Sequence, residues 1–240
     1  MNYYFVTGSS KGLGKAITEQ LLQKVDNFVF GYSRSNTINH KQYYHKLIDF
    51  SNLEAVQKLR FPELKDAKKL VLINNAGSVG EIKHVGKLSA QKIIECYNIN
   101  LVVPTIITNE FLNAYQNSNI QTLIVNISSG AGQSAIDGWS VYCATKAGID
   151  MFSRVVQEEA NIHKSNIKVL SIAPGIIDTD MQKEIRKSAE ENFSNINRFV
   201  DYKKNGDLSS AEEAATKVLQ FINSPSLSQN VVCSVRDLTN

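Results

Sequence analysis

Short apolar runs rich in β-branched and aromatic residues alternate with longer segments of helical period along this 240-residue chain. The runs are YYFVTG (3–8), FVFGYS (28–33), YHKLIDF (44–50), KLVLINNAG (69–77), TLIVNISS (122–129), IKVLSIAPG (167–175) and NVVCSV (230–235). The spacing between them predicts helices over 12–25, 52–60, 89–117, 140–163, 180–199 and 210–223. Runs that stay apolar throughout, without alternation, are what parallel strands covered on both faces require. Strand–helix alternation from end to end predicts an α/β fold, a doubly wound parallel sheet of about seven strands with helices on both faces. No Pro/Ser-rich linker, low-complexity tract or repeat interrupts the pattern, so a single domain is expected over residues 1–240.

Composition narrows the function classes. A hydrophobic fraction of 42% and a charged fraction of 20% permit a sizeable core. The net charge is only +3 and the lysines are scattered, so no basic stripe points to nucleic acid. Cys96, Cys143 and Cys233 are odd in number and unpaired in spacing, as free thiols in a reducing compartment would be. The four histidines (His40, His45, His84 and His163) share no ligand spacing with cysteines or carboxylates, and no metal is expected. No apolar run approaches the ~20 residues of a membrane span. The start, MNYYFVTGSS, lacks a basic n-region and runs straight into a glycine loop. A soluble cytoplasmic protein is the expectation.

The candidate chemistry begins where the first strand ends, in TGSSKGLG. Gly8, Gly12 and Gly14 between a strand and a helix let the backbone turn tightly and bring a helix N-terminus against a pyrophosphate. The second run ends in GYSRSN, with Arg34 and Ser35 and no acidic residue. A carboxylate there would suit a ribose hydroxyl, whereas Arg34, with Lys11 from the glycine loop, suits a 2′-phosphate. NADP(H) is therefore the expected cofactor. Asp49 is placed either to receive an adenine amino group or to cap the helix at 52. Tyr142 and Lys146, in GWSVYCATKAG, are spaced to share one helix face. Nine tyrosines and twenty lysines in this length give roughly 0.75 such pairs by chance, so the pair needs its neighbours to acquire meaning.

Those neighbours carry a resemblance over nearly the whole chain. TGSSKGLG, NNAG (Asn74–Gly77), Asn100 in YNINLVVP, NISSGAG, YCATK and PGIIDTDM follow one another as in the short-chain dehydrogenase/reductase family. APGIIDTDMQ before a basic, polar C-terminal third resembles the family's sepiapterin reductase and bacterial benzil reductase branch. The resemblance implies a Rossmann-type sheet, a small-molecule carbonyl substrate, and a homodimer or homotetramer built on the helices near 89–117 and 140–163. It implies a catalytic set of Asn100, Ser129, Tyr142 and Lys146. Ser129, not Ser128, stands thirteen residues before Tyr142. Tyr142 would be the acid, its phenol (pKa ~10 when free) drawn down by the neighbouring ammonium. Ser129 would hold the substrate oxygen, Lys146 the nicotinamide ribose, and Asn100 a water beside Lys146.

The cofactor would rest on Gly8, Ser10, Lys11, Gly12, Leu13, Gly14, Arg34, Ser35, Asp49, Asn75, Ala76, Gly77, Tyr142, Lys146, Pro174, Gly175, Ile177 and Thr179. Of these, the Ile177 backbone suits the carboxamide, and Thr179 suits phosphate or carboxamide. Residues 180–199 would form a substrate lid or an ordinary surface helix. Trp139 and Ile136 would wall an aryl ketone or diketone, though Trp139 could equally be core or a dimer contact. The sepiapterin branch anchors its pterin on an aspartate in the last strand, where this chain has Ser234 with Asp237 three residues on. Pterin and 3-oxoacyl reduction, and NADP(H) sensing without turnover, stand as alternatives to reduction of an α-diketone.

Overall fold

The computed structural model of the chain describes residues 1–116, 118–224 and 229–238. Seven parallel strands form one sheet: β1 (Asn2–Thr7), β2 (Asn27–Ser33), β3 (Tyr43–Leu47), β4 (Lys69–Asn74), β5 (Gln121–Ile127), β6 (Ile167–Ala173) and β7 (Val232–Ser234). Their spatial order is β3-β2-β1-β4-β5-β6-β7. The order reverses between β1 and β4, and in open α/β sheets ligands bind in the crevice at the carboxyl ends flanking such a switch.

The helices are α1 (Gly12–Leu22), α2 (Leu53–Gln57), α3 (Ala90–Tyr97), α4 (Val103–Tyr115), α5 (Ser140–Ile162), α6 (Asp180–Ile185), α7 (Ile196–Lys204) and α8 (Ala211–Asn223). Alternate strand residues serve two cores. Val6, Val71, Ile73, Val125 and Leu170 face α1 and α8, whose Ile17, Leu21, Val218 and Ile222 cover them. Phe5, Leu70, Leu72 and Ile124 face the other way, against Ile107 and Phe111 of α4 and Val156 of α5. Full burial of a side chain such as Phe111 stabilises by about 1.5–3 kcal/mol. Phe5 lies at the centre, stacked on Phe30 at 4.9 Å and edge-on to Phe111 at 5.4 Å. Among the described residues no helix is long and apolar enough to cross a membrane.

Three predicted helices differ from what forms. The segment 89–117 is divided by a π turn at Asn98–Val102, closed by the Val103 N–H on the Asn98 carbonyl; Asn117, its predicted end, lies outside the described residues. Pro104 has no N–H with which to make the ordinary helical bond to the Asn100 carbonyl, which favours widening the turn there. The segment 180–199 breaks into α6, a single 3₁₀ turn at Glu190–Asn192 and α7. A continuous helix would set Phe193 and Phe199 roughly 120° apart, yet their rings lie 5.3 Å from each other. Finally, 52–60 shortens to α2. Its N-cap is Asn52, whose side chain accepts from the Ala55 N–H at 3.1 Å. Asp49 is not the cap; it turns back on Ser51, accepting from its N–H and its hydroxyl, both at 2.9 Å.

Candidate active site

Two loops close the crevice at the switch point. Thr7, the last residue of β1, accepts from the Asn75 and Ala76 N–H groups at 2.9 and 3.0 Å. Asn75 returns its amide to the Thr7 and Gly8 carbonyls at 2.9 and 3.3 Å. The fit is tight enough that a Cβ at Gly14 would lie 2.3 Å from both the Gly8 carbonyl oxygen and the Asn75 amide. Gly8, Ser10, Lys11, Gly12, Leu13 and Gly14 thereby bring the N-terminus of α1 to the crevice, opposite Asn75, Ala76 and Gly77. That positive helix end is a natural seat for a pyrophosphate.

Beside the glycine loop, on the β2 side of the crevice, Arg34 and Ser35 are exposed beyond β2. Asp49, also exposed, is held below the ordinary carboxylate pKa first by its bond from the Ser51 N–H, with Arg34 adding to the effect. Beneath Arg34 runs a chain of hydroxyls that the sequence alone did not reveal. The Ser33 hydroxyl lies 2.9 Å from His45 Nε2 and 3.3 Å from that of Ser9, which is 3.0 Å from the Tyr43 phenol. Parallel register Gly31↔His45 aligns these groups, and Gly31 leaves room that a side chain would take from Tyr43. Lys11, expected at a phosphate, is here 3.2 Å from Asp180 at the start of α6. Thr179, just before α6, approaches the glycine loop, 3.4 Å from where a Cβ of Gly12 would stand.

Pro174 and Gly175 turn the chain out of β6 toward that contact. Ile176 accepts from the Ser209 N–H at 3.1 Å, and Asp178 donates to the Ser209 carbonyl at 3.0 Å. These bonds belong to Ile176 and Asp178, leaving the Ile177 N–H on the other side of the bridge.

Ser129, Tyr142, Lys146 and Asn100 converge below this crevice. Ser129 follows β5 and accepts from the Ala131 N–H at 3.1 Å, which fixes the turn after it. Tyr142 and Lys146 share the buried face of α5, with the ammonium 5.6 Å from the phenol ring centre. Lys146 Nζ donates to the Ile127 carbonyl at 2.8 Å. Gly77 sits between two of the partners, its Cβ position 3.4 Å from Asn100 Oδ1 and 3.9 Å from Lys146 Nζ. The Asn100 side chain is spoken for. It receives the Ser78 N–H at 2.8 Å and donates to the Ser78 carbonyl at 2.7 Å and to Thr145 Oγ1 at 3.2 Å. Any role toward a ligand or water therefore falls to its backbone, inside the π turn. Thr145 ties this turn to α5 beside Lys146; nothing in its sequence context marks it.

The electrostatics depart from expectation in one respect. Burial pushes the Tyr142 phenol up to about 12, and the adjacent Ser129 hydroxyl only partly opposes it. The sequence argument has the ammonium drawing this pKa down; in this structure burial wins. Burial likewise pulls Lys146 down to about 8, against the opposing pull of Asp150 and then Cys96.

A second, apolar compartment adjoins Tyr142. Trp139 stacks on Phe193 at 5.3 Å and 14° and stands edge-on to Tyr142 at 5.5 Å and 85°. Val79, Ile136, Met181, Ile185 and Phe199 complete the cluster. Trp139 thus packs against residues 180–204, which Asp137 pins down by accepting from the Ser194 N–H and hydroxyl at 2.8 and 2.9 Å. Asp137 escaped the sequence reading, because its partner lies 57 residues on. At the chain's far end Asp237 accepts from the Ser234 N–H at 2.7 Å, and Ser234 from the Arg236 N–H at 3.2 Å.

A family model described as short chain dehydrogenase matches residues 2–190. A benzil reductase ((S)-benzoin forming) from Bacillus cereus is 35% identical, the match covering 98% of this chain and 99% of that one. A sepiapterin reductase from Rattus norvegicus is 29% identical, covering 90% of this chain and 89% of that one. Among solved structures, the KRED1-Pglu enzyme superposes with a TM-score of 0.80 at 26% identity, over 93% of this chain and 95% of that one. With the glycine loop, the crevice and the Tyr–Lys helix already in place, these matches lead to one conclusion: the chain belongs to the short-chain dehydrogenase family of nicotinamide-dependent oxidoreductases.

Proposed function

We propose that this protein is an NADPH-dependent carbonyl reductase that converts one carbonyl of an α-diketone, of the benzil type, to an α-hydroxy ketone. The observation that carries the reading is that the Tyr142 phenol, beside the Ser129 hydroxyl, stands edge-on to Trp139, while Lys146, one turn on, has its Nζ 3.9 Å from a Cβ position at Gly77 in the crevice. One side suits a dinucleotide and the other an aryl group. The 35% identity to a benzil reductase supports the same substrate class.

The crevice fits the cofactor, since Gly14 lets the start of α1 lie directly against Gly8 and Asn75, and Arg34 stands exposed just past β2 with serines on either side in the sequence. Gly8, Ser10, Gly12, Leu13 and Gly14 would seat the pyrophosphate. Arg34, Ser35 and Lys11 would take the 2′-phosphate, Asp49 the adenine, and Asn75, Ala76 and Gly77 the adenosine side of the crevice. Pro174, Gly175, Ile177 and Thr179 would close over the carboxamide. When bound, the nicotinamide supplies a hydride. Ser129 holds the substrate oxygen by hydrogen bonding, and Tyr142 Oη passes its proton to that oxygen as the carbonyl is reduced. Lys146, now on the Ile127 carbonyl, holds the ribose and faces Tyr142 with positive charge. Asn100 presents its backbone from the π turn for a water behind Lys146. Orientation and polarisation are the protein's contribution.

A pterin is less well served, because Asp237 already receives the Ser234 N–H. Exposed Ile94 on α3 and Met151, Val155 and Ile162 on α5 support self-association through these helices. The test is NADPH consumption with benzil, sepiapterin and a 3-oxoacyl thioester side by side. Turnover of benzil at least tenfold above the others is expected; a preference for either rival, or none for any carbonyl, refutes the reading.

A further inference from the structure

Beside Ser129 opens a cleft of 580 Å³ whose walls include Ser128, Gln133, Asp150, Arg154 and Asp237. Asp150 is 2% exposed. Its oxygens accept from Ser171 Oγ on β6 at 2.6 Å and from Gln133 Nε2 at 2.9 Å. Both donors are neutral, so they satisfy the carboxylate without cancelling its charge. A charge that deep is costly unless an opposite one is near.

The opposite charge is one helical turn away. Tyr142, Lys146 and Asp150 follow at four-residue intervals on the buried face of α5. Lys146 is itself 7% exposed, and its hydrogen bond goes to a neutral carbonyl, that of Ile127. The titratable groups acting on it are Asp150 from α5 and Cys96 from α3, with the Tyr142 ring beside it. Burial pushes the Cys96 thiol up to about 11, so it is neutral near pH 7. Arg154, one turn further along α5, is exposed to solvent, and Asp237 lines the same cleft. Gly132 adds a mechanical link. A Cβ there would lie 2.8 Å from Asp150 Oδ2 and 2.9 Å from the Lys146 carbonyl carbon, so the turn following Ser129 sits directly on both residues.

We propose that Asp150 is a positioning residue for proton delivery: its buried carboxylate keeps Lys146 an ammonium and anchors the Ser129 turn to the helix bearing Tyr142 and Lys146. The proposal rests on the roles assigned above to those three residues. Burial already lowers Lys146, and Asp150 is the strongest influence in the other direction. Without it, Lys146 surrenders its proton at a lower pH.

The experiment has two readouts. In Asp150→Asn, the alkaline limb of kcat against pH moves about one unit toward lower pH, while Gln133→Ala, which keeps the charge, leaves that limb in place. An unmoved limb in Asp150→Asn, or an equal displacement in Gln133→Ala, overturns the proposal. The second readout needs no substrate. Asp150→Asn and Lys146→Met each strand a buried charge, so the cofactor-free double variant melts above the less stable single one; strictly additive losses overturn the proposal. If Asp150→Asn alone does not fold, a folded double variant supports it and an unfolded one overturns it. Coupled melting without turnover of any carbonyl would sink the reductase reading and leave this one standing.

Discussion

The two ends of the crevice are built by different physics. At the glycine-loop end two short side chains lock onto backbone: the Thr7 hydroxyl and the Asn75 amide join Thr7, Gly8, Asn75 and Ala76 through four hydrogen bonds of 2.9–3.3 Å, and Gly14 has no spare room. At the other end, residues 180–204 are held by an aromatic stack and by exposed polar contacts, chiefly the Trp139–Phe193 stack, the Asp137 clamp and the pair Lys11–Asp180. The first end is a fixed receptacle. The second is held by separate contacts, which can be broken one at a time without disturbing the sheet.

The sharpest break in this comparison falls between the two ends, at Tyr142. Tyr142→Phe removes the one hydroxyl assigned to proton transfer and leaves the glycine loop untouched. A loss of about 10²–10⁴-fold in kcat is expected, with NADPH affinity by titration near wild type. Retention of most activity would show that the acid lies elsewhere.

Next in size is the segment 180–204. Trp139→Ala deletes a side chain 6% exposed that touches Phe193, Phe199 and Tyr142, and it should lower stability by about 3–5 kcal/mol in denaturant melts. Limited proteolysis should then cut first within 186–195, between α6 and α7, while the glycine-loop end stays protected. Equal exposure of both ends would dissolve the distinction between them.

The same distinction explains what could be read from the residues. Strands buried on both faces announce themselves, because nearly every position of LVLIN or LIVNI is apolar, the buried Asn74 and Asn126 pairing with each other at 2.8 Å. The glycine loop is legible for a related reason, since few residue types tolerate its backbone. Tyr142 and Lys146 are one turn apart on one helix, a local relation that spacing expresses directly. The π turn at Asn100 is not legible, because it depends on the Ser78 backbone pairing with the Asn100 amide from 22 residues away. Nor is the break after α6, which is set by Phe193 reaching Trp139. Nor is the cap of α2: the sequence leaves Asp49 as cap or adenine contact, and the chain's path places Asn52 at the cap instead.

At the glycine-loop end the variable is cofactor choice. Arg34→Asp together with Lys11→Ala puts a carboxylate where the 2′-phosphate would sit and removes a second cation. Charge-assisted hydrogen bonds contribute about 1.5–3 kcal/mol, so the NADPH/NADH ratio of kcat/KM should fall by about 10–100-fold. An unchanged ratio would mean that this end reads the adenosine through other groups, the hydroxyl chain of Ser9, Ser33 and Tyr43 being the first to examine.

The smallest expected effect lies where the two ends touch. Lys11 Nζ and Asp180 Oδ2 are 3.2 Å apart, with both side chains more than half exposed. Lys183, 3.1 Å from Asp180 Oδ1, offers that carboxylate another partner. Exposed pairs of this kind contribute about 0–1 kcal/mol, so Lys11 can exchange Asp180 for a phosphate at little cost. Asp180→Asn removes the competitor and leaves Lys11 free. NADPH should bind tighter by no more than about fivefold at low ionic strength, and the gain should vanish in 1 M salt, where charges are screened within ~3 Å. Weaker binding in Asp180→Asn would invert the comparison: the Asp180 carboxylate would then hold Lys11 in place for the cofactor, and the two ends would form one receptacle.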